Sequence, residues 1–528
     1  MPNPPSKPGG SSSIFPLFSK KHEIVLFSST AIALYGYDQG MMSLINTNYS
    51  YLRTMQISKD SPVVGIIVSV YYLGCTLGAI IASYLADRAG RKWSIFICLA
   101  TTSFGNILMF ISGLSTSGSS PWNGGAMGCL LAGRIIMGLG VGGIDAVIPV
   151  YSSELSSDGA RGRALAQEFQ MNIFGLVMAY AINLGVTIGL GKWDQWAWRI
   201  PIIVMQIFPI VLMSVSSRLP ESPRWLIGKG ETDRARTALE TIYDKKNADD
   251  KLAELQQADD NETEKTGYKD MLFPGGSQFH PSMVTIMGQV NQALTGYGAV
   301  SVYGPQIFEL LGFRTRMAEY LTLANYIQYF GMMTIAWMSI DVLGRRKLMI
   351  WGAIGLAICF TILTIFGSLA HHVPDLAVEI PGTLTLFVAT AIFGIGWLAT
   401  VWLIPTEIYP STARAQGSAI SVIIWGLANF AITLLTPIGF NNLKYWLFLV
   451  FAATNSFAGW WTWRYSPESG GRSFEENQEF FNSARDDGSW EVKKVDGGKF
   501  ERMPRKKGSG EEEGERGGER SPLLSGLR

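Results

Sequence analysis

The chain has 528 residues, 48% of them hydrophobic and only 16% charged, with a formal net charge of +1. Soluble domains carry about a quarter charged residues. The deficit, with the charges gathered between long apolar runs, excludes an ordinary soluble protein and indicates a polytopic membrane protein in a lipid bilayer. No basic stripe with interleaved aromatics is present, which excludes a nucleic-acid partner.

In chain order, residues 1–20 form a disordered N-terminal segment, because Met1 to Ser13 is rich in Pro, Ser and Gly and lacks the apolar core of a cleavable signal peptide. A helix crossing hydrocarbon needs about 20 apolar residues. Twelve stretches qualify, near 24–45, 62–84, 93–113, 126–149, 165–189, 197–216, 282–304, 318–341, 348–368, 381–404, 415–437 and 442–465. The charged stretch 217–281 separates six spans from six, and its spacing of Ala, Leu and Ile predicts a short surface helix over Asp233–Tyr243. The fold class is therefore an all-α membrane protein with 12 transmembrane helices. It divides into an N-terminal six-helix bundle (21–216), a cytoplasmic linker with short helices (217–281), a C-terminal six-helix bundle (282–465) and a mostly disordered cytoplasmic tail (466–528).

Arg88, Arg91, Lys92, Arg161, Arg163, Arg345, Arg346, Lys347 and Arg414 share one set of loops, which the positive-inside rule places in the cytoplasm. Asn48-Tyr-Ser then lies outside, making Asn48 a candidate glycosylation acceptor. Cys75, Cys98, Cys129 and Cys359 all fall inside predicted spans and read as small buried residues, not as a disulfide framework or metal site. No nucleophile–base pair or metal-ligand cluster occurs, so neither an enzyme nor a cofactor is expected.

Motifs recur between the halves in the same order. Asp87-Arg-Ala-Gly-Arg-Lys92 returns as Asp341-Val-Leu-Gly-Arg-Arg-Lys347. Glu154 precedes Arg161 by seven residues, as Glu407 precedes Arg414, and Pro220-Glu221-Ser222 returns as Pro467-Glu468-Ser469. Three matches in one order establish an internal repeat. These charges sit at helix ends, where they can pair across the halves. Exposed pairs are individually weak, so they can break and reform as the halves rock. The glycines of the fourth span (Gly138, Gly140, Gly142) lie within the membrane and fit close helix packing, not phosphate binding.

One acid lies deep in the first span. Asp38, in Tyr35-Gly-Tyr-Asp-Gln-Gly40, would cost on the order of 2.5–3.5 kcal/mol to insert unless paired or protonated. Arg134 in the fourth span is its candidate partner. Burial and a neighbouring guanidinium act on a carboxyl in opposite senses, so such a group can load and release a proton; a static ion pair joining two helices is the alternative. Asp145 and Glu168 are further acids inside spans without an assigned role.

Over residues 20–480 the chain resembles the sugar porter family of the major facilitator superfamily, most closely the fungal sugar/proton symporters. The resemblance rests on Gly36-Tyr-Asp-Gln-Gly40, the two D-x-x-G-R turns, Gly133-Arg134, Pro149-Val-Tyr-Ser-Ser-Glu154 with Arg161, Pro220-Glu-Ser-Pro-Arg-Trp225, Glu407 with Arg414, and Pro467-Glu-Ser469. It implies proton-coupled symport of a sugar or related polyol by alternating access, with Asp38 and Arg134 as the coupling pair. It further implies a cytoplasmic latch of Asp87, Arg88, Arg91, Glu154, Arg161, Glu221, Arg345, Glu407, Arg414 and Glu468 holding the outward-facing state.

The match frays at the pocket. Of the family's seventh-span amides Gln292 remains, while Ala293 and Gly298 replace the other two. Phe169 stands at the fifth-span glutamine position, with Gln170 one residue on and turned about 100° on the helix. Trp402 and Asn429 are kept; Ala399 and Val401 replace prolines, and Trp425 and Tyr329 replace asparagines. Gln170, Gln292, Trp402 and Asn429 are the expected substrate-binding residues. The pocket departs from a standard glucose site, toward a larger or less polar polyol, a disaccharide, or a cyclic acid such as quinate. A nutrient sensor, non-transporting or dual-function, is the rival reading. In the tail, Glu519 with Leu523 and Leu524 fits an acidic dileucine pattern for sorting adaptors. The expected location is the plasma membrane, with endosomal or vacuolar membranes as alternatives.

Overall fold

The computed structural model describes residues 20–59, 61–114, 124–155, 161–243, 245–261, 267–372, 375–410, 413–472 and 474–495, with the side chains of 20–21, 124, 161–164, 258–261 and 474–475 left aside. The Glu519, Leu523 and Leu524 pattern and the N-terminal segment up to residue 19 lie outside the described residues.

The expected spans are all helical. Eight helices are long and apolar enough to cross a membrane by length and composition: Pro62–Ala89, Arg91–Ile111, Gly125–Leu155, Leu165–Leu190, Trp196–Ser216, Arg345–His372, Leu376–Ile408 and Arg414–Leu443. The other four spans carry more polar groups or a break. The first (Lys20–Ile45) holds Asp38, the eighth (Thr315–Leu343) holds Glu319 and Asp341, and the twelfth (Trp446–Tyr465) holds Asn455 and Arg464. The seventh is divided into Phe279–Leu294, Tyr297–Val302 and Gly304–Leu310. Large apolar side chains such as Ile81, Ile210, Ile327, Trp351 and Leu435 are exposed around the outside, as a lipid-facing surface requires.

Small residues set the helix spacing within the first half. A Cβ on Gly36 would lie 1.8 Å from the Asn172 carbonyl oxygen of the fifth span. A Cβ on Gly142 would lie 2.1 Å from the Cys75 carbonyl of the second span, and one on Gly140 2.1 Å from Thr102 Oγ1 of the third. The fourth-span glycines thus admit two neighbouring helices at backbone contact.

The halves meet along the second and eleventh spans, where Thr76 donates to the Ile423 carbonyl at 3.4 Å, and along the fifth and eighth. At the end opposite the D-x-x-G-R turns they are joined by ion pairs, Lys59 to Glu309 at 2.6 Å and Lys192 to the buried Glu319.

The linker carries short helices, as expected: Thr232–Ile242 coincides with the surface helix read from spacing, and Pro223–Ile227, Lys245–Asn261 and Tyr268–Leu272 join it. Leu226, Ala235, Leu239 and Leu252 give it a small core of its own. Within the described part of the tail, Phe480, Phe481 and Ala484 bury one face of a helix at Phe474–Asp486. That helix is pinned by Gln478 donating to the Ile408 carbonyl at 2.9 Å.

Asn48 Oδ1 caps the helix Tyr49–Met55 by accepting from the Tyr51 amide at 3.0 Å, and its Nδ2 is buried. A glycan on that nitrogen would require the side chain to turn outward and give up the cap. Glycosidase treatment is expected to leave the protein's electrophoretic mobility unchanged, while Asn48→Ala costs about 1 kcal/mol through the lost cap; a glycosidase-sensitive band abolished by that substitution would refute this.

Candidate functional site

Asp38 and Arg134 meet in the middle of the first half. The Arg134 Nη1 donates to Asp38 Oδ1, and both side chains are almost fully buried. Arg134 also donates to the Ile67 and Val68 carbonyls, each at 3.3 Å, and its guanidinium lies 4.7 Å from the Tyr71 ring centre. Such spreading of a buried positive charge over backbone oxygens and a π-face lets it persist when the carboxyl is neutral.

One residue beyond Asp38, Gln39 opens onto a central cavity lined from both halves. The first span contributes Tyr35 and Gln39, the fifth Phe169, Asn172, Ile173 and Leu176. The second half contributes Gln292, Ala293, Tyr297, Gly298 and Ser301 from the seventh span, with Tyr329, Phe393, Leu398, Trp402, Trp425 and Asn429. Aromatic rings enclose it. Trp425 meets Tyr35 at 5.1 Å and Trp402 at 5.8 Å between ring centres, Phe169 meets Trp402 at 5.4 Å, and Tyr297 stacks on Phe393 at 4.2 Å. Polar tips are set among them: Gln39 Nε2 donates to the Tyr35 hydroxyl at 2.5 Å and the Tyr72 hydroxyl at 3.3 Å, and Asn429 Nδ2 donates to the Trp425 carbonyl at 2.9 Å.

Two irregularities of backbone build this cavity. The seventh span breaks at Thr295–Gly296, where Gly296 has φ +79° and a Cβ would lie 2.4 Å from the Phe451 ring. The break carries Tyr297, Gly298 and Ser301 to the cavity wall. The tenth span contains a π-helical turn at Gly394–Leu398, and Gln292 Nε2 donates to its Trp397 and Leu398 carbonyls at 3.1 and 3.2 Å. Wider turns misalign carbonyls from the helical ladder, and here the pocket amide meets them. Gly298 also leaves room for Asn429, whose Oδ1 would be 3.0 Å from a Cβ there.

Of the expected substrate residues, Gln292, Trp402 and Asn429 line the cavity; Gln170 does not. Gln170 turns away to the fifth–eighth helix contact, donating to Thr334 Oγ1 at 2.8 Å and accepting from Trp337 Nε1 at 3.1 Å. The rotation of one residue along the helix puts Phe169 on the wall instead. Sequence reading also missed Tyr35, Gln39, Asn172, Tyr297, Ser301 and Phe393. Tyr35 and Gln39 are one helical turn apart and flank Asp38, a spacing that could have found them.

The expected latch is arranged differently. In the first half Arg91 pairs with Glu154 at 3.2 Å and with Asp87 at 3.4 Å; in the second Arg345 pairs with Glu407 at 2.7 Å and with Asp341 at 2.9 Å. Glu221 accepts from the amides of Arg91 and Lys92 at 3.0 and 3.2 Å, and Glu468 from those of Arg345 and Arg346 at 2.8 and 3.1 Å. Each carboxylate caps the positive N-terminus of the helix after its turn. The turn glycine is obligatory: Gly90 and Gly344 have φ +97° and +88°, and a Cβ would lie 2.5 and 2.4 Å from the capping oxygen. Each of these pairs lies inside one half, not across the two. The arginines are also buried, Arg91 9% and Arg345 4% exposed, so the expectation of weak exposed pairs is overturned. Arg88 stands apart, over the Tyr84 ring at 4.3 Å. Arg161 and Arg414 begin the fifth and eleventh spans; the Arg161 side chain lies outside the described residues.

A family model described as sugar (and other) transporter matches residues 24–481. The chain belongs to that family. It is therefore a membrane transporter of the major facilitator type and not an enzyme. Among its relatives, a sugar transporter of Saccharomyces cerevisiae (STL1) is 30% identical over 89% of this chain and 83% of its own. A D-xylose-proton symporter of Escherichia coli K12 is 27% identical over 85% and 94%. The solved structure of the proton:xylose symporter XylE superposes with a TM-score of 0.75 at 23% identity, covering 88% of this transporter and 99% of that chain. That agreement is one of fold: two six-helix bundles about a central cavity.

Proposed function

We propose that this transporter moves a sugar or related polyol together with a proton by alternating access, with Asp38 carrying the proton and Arg134 governing its release. The observation that supports this most is the buried Asp38–Arg134 pair one residue from the wall of a cavity shared by both halves. Loading the cavity through Gln39 and changing the charge at Asp38 are then neighbouring events on one helix. The aromatic box favours a cargo with an apolar C–H face, and Gln39, Asn172, Gln292 and Asn429 supply amides for its hydroxyls. With so much ring surface and few amides, the reading favours a larger or less polar polyol over glucose. The reading places the protein at the plasma membrane as an uptake system, and Glu519, Leu523 and Leu524 are the residues through which sorting adaptors would redirect it.

Proteoliposomes given hexoses, pentoses, disaccharides, inositol and quinate test this. Accumulation of one neutral member that follows an imposed proton gradient and collapses with a protonophore is expected. Gradient-independent uptake, or accumulation of quinate alone, would reject it. Gln292→Ala should weaken apparent affinity for that cargo about tenfold, the equivalent of one lost hydrogen bond of 1–1.5 kcal/mol; an unchanged KM would remove Gln292 from the site.

A further inference from the structure

Two buried carboxyl groups take no part in the pair or the turns described above. Asp145 of the fourth span is 5% exposed and Glu168 of the fifth is 1% exposed. Asp145 Oδ1 and Glu168 Oε2 have no hydrogen-bond partner among the described residues. An acid inside a membrane is costly, and an acid kept there only for structure would have both oxygens satisfied.

Their placement is ordered. On the fourth-span helix, Asp145 follows Arg134 by eleven residues and Ser152 follows it by eighteen. At about 100° per residue these positions fall on one stripe, roughly 16 and 27 Å along the axis from Arg134. Ser152 Oγ donates to Glu168 Oε1 at 2.7 Å, which carries the stripe onto the fifth span near its D-x-x-G-R end. Tyr71 of the second span, whose ring centre lies 4.7 Å from the Arg134 guanidinium, is within electrostatic reach of both Asp38 and Asp145. Tyr35 of the first span and Cys75 of the second are within electrostatic reach of Asp145 as well. Pro149, between Asp145 and Ser152, lacks the N–H that the Asp145 carbonyl would accept in a regular helix. The helix is thus weakened, and its backbone polar, at the midpoint of the stripe.

Resting on the proton-coupled reading, we propose that Asp145 and Glu168 form the inward limb of the proton path. A proton leaving the Asp38 carboxyl passes along water or hydroxyl groups to the Asp145 carboxylate, while Asp38 returns to its ion pair with Arg134. Asp145 then yields it past Ser152 to the Glu168 carboxylate, which releases it to water at the end bearing the basic turns. Each transfer exchanges one carboxyl for one carboxylate, and the gaps of about 10–16 Å along the helix axis are crossed by water or hydroxyl groups that accept one proton as they give up another. Neither acid lines the wall of the cargo cavity.

Infrared difference spectra of the protein in liposomes, taken between acidic and alkaline pH without cargo, test this directly. Asp145→Asn and Glu168→Gln should each remove part of the protonated-carboxyl C=O signal; spectra unchanged in either variant overturn the proposal. In proteoliposomes, with the panel compound that the unaltered protein accumulates as probe, each variant should slow gradient-driven uptake about tenfold. Counterflow at equal pH should stay within about twofold, because exchange needs no net proton release. Unaltered net uptake, or an equal loss of counterflow, overturns it. Asp38→Asn serves as reference: if that variant still accumulates cargo, the coupling itself fails, whereas a normal reference response with inert Asp145 and Glu168 variants removes the relay alone.

Discussion

Asp38→Asn is expected to abolish accumulation of cargo against its gradient while leaving exchange across the membrane intact. The substitution keeps the shape of the side chain beside Arg134 but removes the group that can change charge. The carboxylate partner of a fully buried guanidinium is also lost, so the variant should hold one state of the pair permanently. Loss of accumulation by two orders of magnitude or more is the scale for removing an obligatory proton-transfer group. The measurement is uptake into proteoliposomes with and without an imposed proton gradient, beside counterflow at equal pH. Concentrative uptake by the variant equal to that of the unaltered protein would remove Asp38 from coupling.

Arg345→Ala should be the most destabilising of the charge substitutions. It strands Glu407 and Asp341, ends a hydrogen bond to the Ile340 carbonyl at 3.0 Å, and leaves carboxyl groups without their cation in a largely buried place. Breaking a buried pair from one side costs about 3–5 kcal/mol. A thermal midpoint lowered by several degrees in detergent is expected. Arg88→Ala, which removes an exposed charge lying over Tyr84, should change stability by no more than about 0.5 kcal/mol. Equal midpoints for the two variants would contradict the buried-cluster account.

How legible these features were in the sequence depended on their periodicity. Spans are long averages over hydropathy, so all twelve could be read, and repeated motifs marked the halves. Asp38 with Arg134 was legible for a different reason: two opposite charges inside hydrocarbon have few places to go. The pocket was only partly readable. Gln170 and Phe169 differ by one step, and the helix rotation that separates wall from helix contact is finer than any boundary read from hydropathy. The break at Gly296 and the π-helical turn at Gly394–Leu398 were unreadable because each changes the backbone over only a few residues, far less than the length over which hydropathy marks a span. The partners of Arg91 and Arg345 were misread for a third reason. Charges at helix ends pointed to pairing across the halves, whereas the contacts are made within each half, by side chains 63 and 62 residues apart.

The carboxylates at Glu221 and Glu468 alter where the duplicated unit ends. Each lies past the last residue of its sixth helix, yet each completes the fastening of a turn between that unit's second and third helices. The repeated unit therefore runs through Pro-Glu-Ser, with its last residues returned to its early ones. Expressed as two separate chains, the halves would need their junction beyond Ser222; a cut at Ser216 would hand the first module's clasp to its neighbour.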